Sequence, residues 1–358
     1  MVVADDPARL PSASPSLAPV MAESQQSRSN SASTAALAFA FGAVALWATN
    51  ALVGKTLLAS HPVSHVQFLQ FFGAALVFAL IRLMSISPSP LVGEGGSARS
   101  AETDEGCSSE LRRWRSLEHP SSDLASRGHL GEKGRAPLAA YAVGFIGLVG
   151  TMVLQYIAFA SMPVIEANLV AYTWPLLVAA GIIIIGNPKR PLLLGLTAAL
   201  GFAGVALVIS GGRAQAWFEG GLVGYCAALG SALCMAFYSI AVGRLAVPPD
   251  RLLLPSAVLG VALTFAWCLH DGVAGMGGLD LLLGLYLGAG PMGLGYYFWS
   301  RALSLDQGGR LAVVAYLTPI ASTLLLALSG ESLSMTAIAG AVLVIGSCIA
   351  VGIERPEA

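Results

Sequence analysis

Apolar residues fill this chain in ten blocks, at about 34–57, 62–84, 138–160, 164–186, 191–210, 220–245, 252–270, 279–303, 311–330 and 335–351. A helix rising 1.5 Å per residue needs about twenty such residues to cross the roughly 30 Å of bilayer hydrocarbon. In lipid a spanning segment must satisfy its own backbone polar groups, which long apolar helices do. The blocks therefore predict an all-α polytopic membrane protein with ten transmembrane helices in the lipid bilayer. Two stretches break the pattern. Residues 1–33 are rich in Ser, Ala and Pro, which predicts a disordered tail. Residues 85–137 lack a sustained apolar period, which predicts an unstructured loop.

Ten helices divide into two sets of five, and an odd number per set turns the second upside down relative to the first, an inverted repeat. Matching residues give its register. Ala171-Tyr172-Thr173-Trp174-Pro175 aligns with Ala315-Tyr316-Leu317-Thr318-Pro319 at an offset of 144. Gly195 and Gly201 align with Gly340 and Gly346 at 145, and Val53-Gly54-Lys55 with Val242-Gly243-Arg244 at 189. The difference of 45 between 189 and 144 places an insertion between the first and third helices, where the loop 85–137 lies. The halves are then 34–210, carrying the inserted loop, and 219–352.

The fourth block, 163–186, holds Glu166, Asn168 and Pro175 inside an apolar run, and each is unfavourable in lipid. Pro175 has no N–H for the carbonyl of Ala171, and Pro319 has none for Ala315. Those oxygens must find another helix, water or a solute. Two interrupted spans in corresponding positions point to a transporter's binding site, with Pro175 and Pro319 as hinges.

Composition sharpens this reading. The chain is 56% hydrophobic and 11% charged, against about a quarter charged in ordinary soluble domains. A net charge of −1 says little about partners, and no nucleic acid is expected among them. The five cysteines show no C-x-x-C spacing and read as small buried hydrophobes. With both ends cytoplasmic, 17 of the 19 Lys and Arg residues fall on the cytoplasmic side, leaving Lys55 and Arg213 outside, so the positive-inside rule is met. That orientation fits a multi-pass protein of the bacterial inner membrane.

Catalytic patterns are weak. Gly54-Lys55-Thr56 ends like a phosphate-binding loop, but Thr49 stands where its first glycine would be. The histidines lack metal-ligand spacing and no two carboxylates pair on one helix, so no enzyme, metal or cofactor is expected. What the spans offer is aromatic and amide groups. Asn168, Tyr172 and Pro175 share a face, as do Trp47 and Asn50, and such polar faces must turn inward. Gln155 and Tyr156 in the third span, Tyr296 and Tyr297 in the eighth and Tyr316 in the ninth complete a candidate cavity for a small flat or amphipathic solute. Trp299 reads as belt or core packing. Glu166 is either half of an ion pair with Lys55 or a partner for a substrate amine or proton. Tyr172 and Trp174 diverge by about 200° on a regular helix, so both reach one cavity only if Pro175 distorts the turn.

These residues resemble the EamA branch of the drug/metabolite transporter superfamily over about 34–352, the inserted loop excepted. Leu46-Trp47-Ala48-Thr49, the run from Pro163 to Pro175, and Tyr316-Leu317-Thr318-Pro319 are similar to the aromatic-amino-acid exporters of the YddG type. The resemblance implies a central cavity, alternating inward- and outward-open states, and outward movement of amino acids or related metabolites. Trp47, Glu166, Tyr172 and Trp174 match its motifs, whereas Ala171 replaces a usual asparagine. A non-transporting scaffold or sensor on the same fold is the second reading, and the oligomeric state stays open.

Overall fold

The computed structural model describes residues 34–86, 135–186, 188, 190–210, 221–245, 247–272, 275–305, 310–328 and 334–353. The tail 1–33 and most of the loop 85–137 lie outside the described residues. The loop's two ends are helical, at Ser85 and Ile86 and again from Arg135. Pro137 sits in the first turn of that second helix, where its missing N–H has no partner to lose.

Among the described residues the secondary structure is helical throughout. Eight helices of the described residues are long and apolar enough to cross a membrane: α1 (Thr34–Leu58), α2 (Val63–Ser85), α3 (Leu138–Ser161), α4 (Val164–Ile185), α5 (Pro191–Ser210), α6 (Leu222–Val242), α7 (Arg251–Asp271) and α8 (Gly278–Leu305). Two shorter apolar helices follow, α9 (Leu311–Leu325) and α10 (Met335–Ala350). Leucines and isoleucines such as Leu83, Ile184, Leu192 and Leu222 are largely exposed, as expected of surfaces that face lipid rather than water.

Glycines decide which helices touch. Gly204 of α5 and Gly340 of α10 meet backbone to backbone, so a methyl group on Gly204 would stand 2.7 Å from the carbonyl oxygen of Gly340. Gly73 of α2 and Gly288 of α8 make the second such crossing. Close approach through small residues replaces the hydrophobic drive that lipid removes. The most extensive pairings are α5 with α10, α2 with α7, α3 with α6, and α2 with α8.

Four spans are interrupted. α1 has a turn at residues 48–49 before Asn50–Leu58 resumes the helix. α3 and α8 carry π-helical stretches, Phe145–Gly150 and Gly288–Leu294, the second containing Pro291. α4 is broken by a turn at Tyr172 and Thr173, and the Thr173 hydroxyl donates to the Val170 carbonyl at 2.7 Å. The chain enters α9 through a 3₁₀ helix, Arg310–Tyr316, and becomes α-helical at Leu317, two residues before Pro319. Such stretches inside helices mark hinges and functional sites.

Candidate substrate cavity

The interruptions converge. A cavity of about 620 Å³, counting the open space at its mouth, lies between α1, α3, α4, α6, α8 and the start of α9. Ala171 and Ala315, whose carbonyls lose their helical donors to Pro175 and Pro319, both line it. Both Tyr172 and Trp174 line it too, because the turn at Tyr172 and Thr173 replaces the regular 100° step between them.

Trp47, Asn50, Gln155, Asn168 and Tyr296 complete the expected part of the lining, and among the described residues no Asp, Glu, Lys, Arg or His side chain belongs to it. Asn50 is bound into a buried network: its Oδ1 accepts from the Tyr156 hydroxyl at 3.2 Å and from Gln70 Nε2 at 3.4 Å. Gln155 and Asn168 hold two further amides that make no hydrogen bond among the described residues.

Beneath the cavity lies an aromatic floor. Trp299 is fully buried, with its ring centroid 5.4 Å from Trp174 in an edge contact and 5.5 Å from Trp47. Its indole N–H reaches Ser239 Oγ at 3.2 Å. Trp47 donates to the carbonyl of Pro291 at 2.9 Å, inside the π-helical stretch of α8. Tyr296 reaches the carbonyl of Gly147 at 3.4 Å, inside that of α3. Each wide turn thus presents a carbonyl to an aromatic donor from a neighbouring helix, which satisfies a group that lipid could not.

Four expected residues stand elsewhere. Tyr156 is fully buried behind Asn50 and orients it. Tyr316 packs against Gly201 of α5, a position one residue beyond the cavity-lining Ala315. Tyr297 is turned towards Phe298 and the core of the bundle. Glu166 is buried and its carboxylate accepts from the Tyr225 hydroxyl of α6, whereas Lys55 is exposed and no ion pair joins the two among the described residues. Thr151, Met152, Ser231 and Met235 are lining residues that the sequence did not signal, since small and apolar residues look alike on every face of an apolar helix.

The profile of the EamA-like transporter family matches residues 222–353. The aromatic amino acid exporter YddG of Ancylobacter novellus is 32% identical over 228 residues, covering 62% of this chain and 78% of that protein. The chain belongs to the EamA-like transporter family. A solved structure titled "Crystal structure of protein" superposes with a TM-score of 0.69 at 23% identity, covering 91% of this chain and 99% of the other, which establishes a shared fold.

Proposed function

We propose that this EamA-like transporter exports aromatic or other amino acids and related small metabolites across the bacterial inner membrane, by alternating exposure of the central cavity. The observation that carries the proposal is the convergence of two proline-broken helices, Ala171–Pro175 and Ala315–Pro319, on one cavity with an aromatic floor and an uncharged lining. Flat side chains stack on Trp and Tyr rings, and the amides and freed carbonyls suit a zwitterion's two ends.

The reading includes ten membrane-crossing helices in two inverted halves, 34–210 and 219–352. Two features support it. The π-helical stretches begin at Phe145 and Gly288 and end at Gly150 and Leu294, spacings of 143 and 144 that match the offset of the proline pair. The pairings α2 with α7 and α5 with α10 join helices that such a repeat makes equivalent. The distribution of Lys and Arg, 17 of 19 on one side, supports cytoplasmic N and C termini. In that orientation the Glu166 to Tyr225 contact and the His61 to Asp280 contact at 2.8 Å tie helix ends together on the outer side. They are the contacts that alternate as the halves rock about Pro175 and Pro319.

Proteoliposome uptake of labelled phenylalanine, tyrosine and tryptophan tests the proposal, comparing wild type with Trp174→Ala. Saturable uptake that the variant loses while remaining folded is the expected result. Absence of flux from well-folded wild type would overturn it in favour of the scaffold or sensor reading.

A further inference from the structure

The buried amides behind the cavity are arranged with a direction. Gln67 Nε2 donates to Gln70 Oε1, Gln70 Nε2 donates to the Tyr156 hydroxyl at 2.8 Å, and that hydroxyl donates to Asn50 Oδ1 at 3.2 Å. A second bond from Gln70 Nε2 reaches the same Asn50 oxygen at 3.4 Å. Gln67, Gln70 and Tyr156 are fully buried and Asn50 is 7% exposed. At the far end of the chain Gln67 Oε1 has no partner among the described residues.

This order leaves Asn50 one role. Its oxygen is taken from behind, so its Nδ2 group is what it offers to the cavity it lines. The other polar features there include the Ala171 and Ala315 carbonyls, which accept only. Among the described residues the lining holds no Asp, Glu, Lys, Arg or His, and of its three amides Asn50, Gln155 and Asn168 only that of Asn50 is fixed in direction by hydrogen bonds from behind.

Resting on the amino-acid reading above, we propose that Asn50 is the carboxylate-recognising residue of the site and that Gln70 and Tyr156 are positioning residues. They lock its amide as a donor, so that a bound amino acid lies with its carboxylate on Asn50 and its ammonium towards Ala171 and Ala315. Specificity for the zwitterion then comes from hydrogen-bond direction rather than from a charged side chain. Without its lock, an amide would rotate freely and favour a carboxylate or an ammonium equally.

The test is calorimetric titration of the detergent-solubilised full chain with L-tryptophan, tryptamine and 3-indolepropionate, with tryptophan flux in proteoliposomes measured alongside. Wild type binds tryptophan on the order of tenfold more tightly than either analogue, as expected for one hydrogen bond to a charged group. In Asn50→Leu the gap to tryptamine, which lacks the carboxylate, collapses while the gap to 3-indolepropionate persists. In Asn50→Asp the order of tryptophan and tryptamine reverses. Tyr156→Phe, which leaves the cavity lining untouched, narrows the tryptamine gap several-fold without moving the other. A tryptamine gap unchanged in Asn50→Leu and Tyr156→Phe would overturn the inference. So would a shift in the 3-indolepropionate gap alone, because the relay would then run the other way. Asn50-dependent binding without flux would sink the exporter reading and leave this inference standing, flux with Asn50-independent discrimination would do the reverse, and no binding at all would overturn both.

Discussion

Gly147 lies in the π-helical stretch of α3, where the Tyr238 side chain of α6 fills the space a side chain would take: a methyl group on Gly147 would overlap ring atoms Cγ and Cδ2 and the Cβ of Tyr238. Tyr238 is fully buried and has little freedom to yield. Its hydroxyl bonds Ser300 at 2.6 Å and its ring stands 5.8 Å from that of Tyr296. Gly147→Ala therefore forces Tyr238 aside. Overpacking of this kind costs about 1–3 kcal/mol, and breaking a buried hydroxyl pair adds about 1–3 kcal/mol. The expected loss is about 2–6 kcal/mol, a fall of several degrees in the melting temperature of the detergent-solubilised protein. Because Tyr296 lines the cavity and would be displaced next, aromatic amino-acid flux should fall with it. Gly346→Ala is the control: it sits in α10 with nothing within 4 Å of the added methyl group, and removing a helical glycine is neutral or stabilising by up to about 1 kcal/mol. Equal melting temperatures for Gly147→Ala and wild type would refute the packing argument, and Gly346→Ala falling as far as Gly147→Ala would refute its specificity.

Trp47→Phe keeps a ring against Trp299 but removes the donor to the Pro291 carbonyl, so stability should drop by about 1–3 kcal/mol in a melting experiment. Pro175→Ala restores the N–H that the Ala171 carbonyl lacks. It should leave stability unchanged or raised while lowering flux, because Tyr172 and Trp174 would diverge on a regular helix; unchanged flux would contradict the hinge assignment. Glu166→Leu and Tyr225→Phe remove the acceptor and the donor of one contact, so their effects on flux should match and the double variant should add little further, as double-mutant analysis of uptake rates can establish.

The helices were legible because length and hydropathy suffice in lipid, where backbone groups must be satisfied within the helix. The two prolines were legible as chemistry: an imino acid removes a donor wherever it stands, and the alanines four residues before Pro175 and Pro319 lie on the cavity. The π-helical stretches were hidden. The glycines from Gly288 to Gly295 allowed a bend or a close approach, but a widened turn depends on Trp47 and Tyr296 arriving to bond its carbonyls. Long-range partners were hidden for the same reason. Glu166 and Lys55 are the charged residues at the ends of their spans, yet the carboxylate meets Tyr225, a residue 59 positions away that no sequence pattern pairs with it. Gln70 and Tyr156 likewise gain their meaning only from Asn50, which is 20 and 106 positions away respectively.

Counterflow tests the central claim most directly: proteoliposomes preloaded with unlabelled tryptophan are given labelled tryptophan outside, for wild type and for Asn168→Leu, a cavity-lining change. Alternating exposure of this cavity predicts transient accumulation of label in wild type, saturable and blocked by phenylalanine, and at least a tenfold slower exchange in the folded variant. Label that never rises above its equilibrium level in wild type, or exchange undiminished by Asn168→Leu, would contradict it.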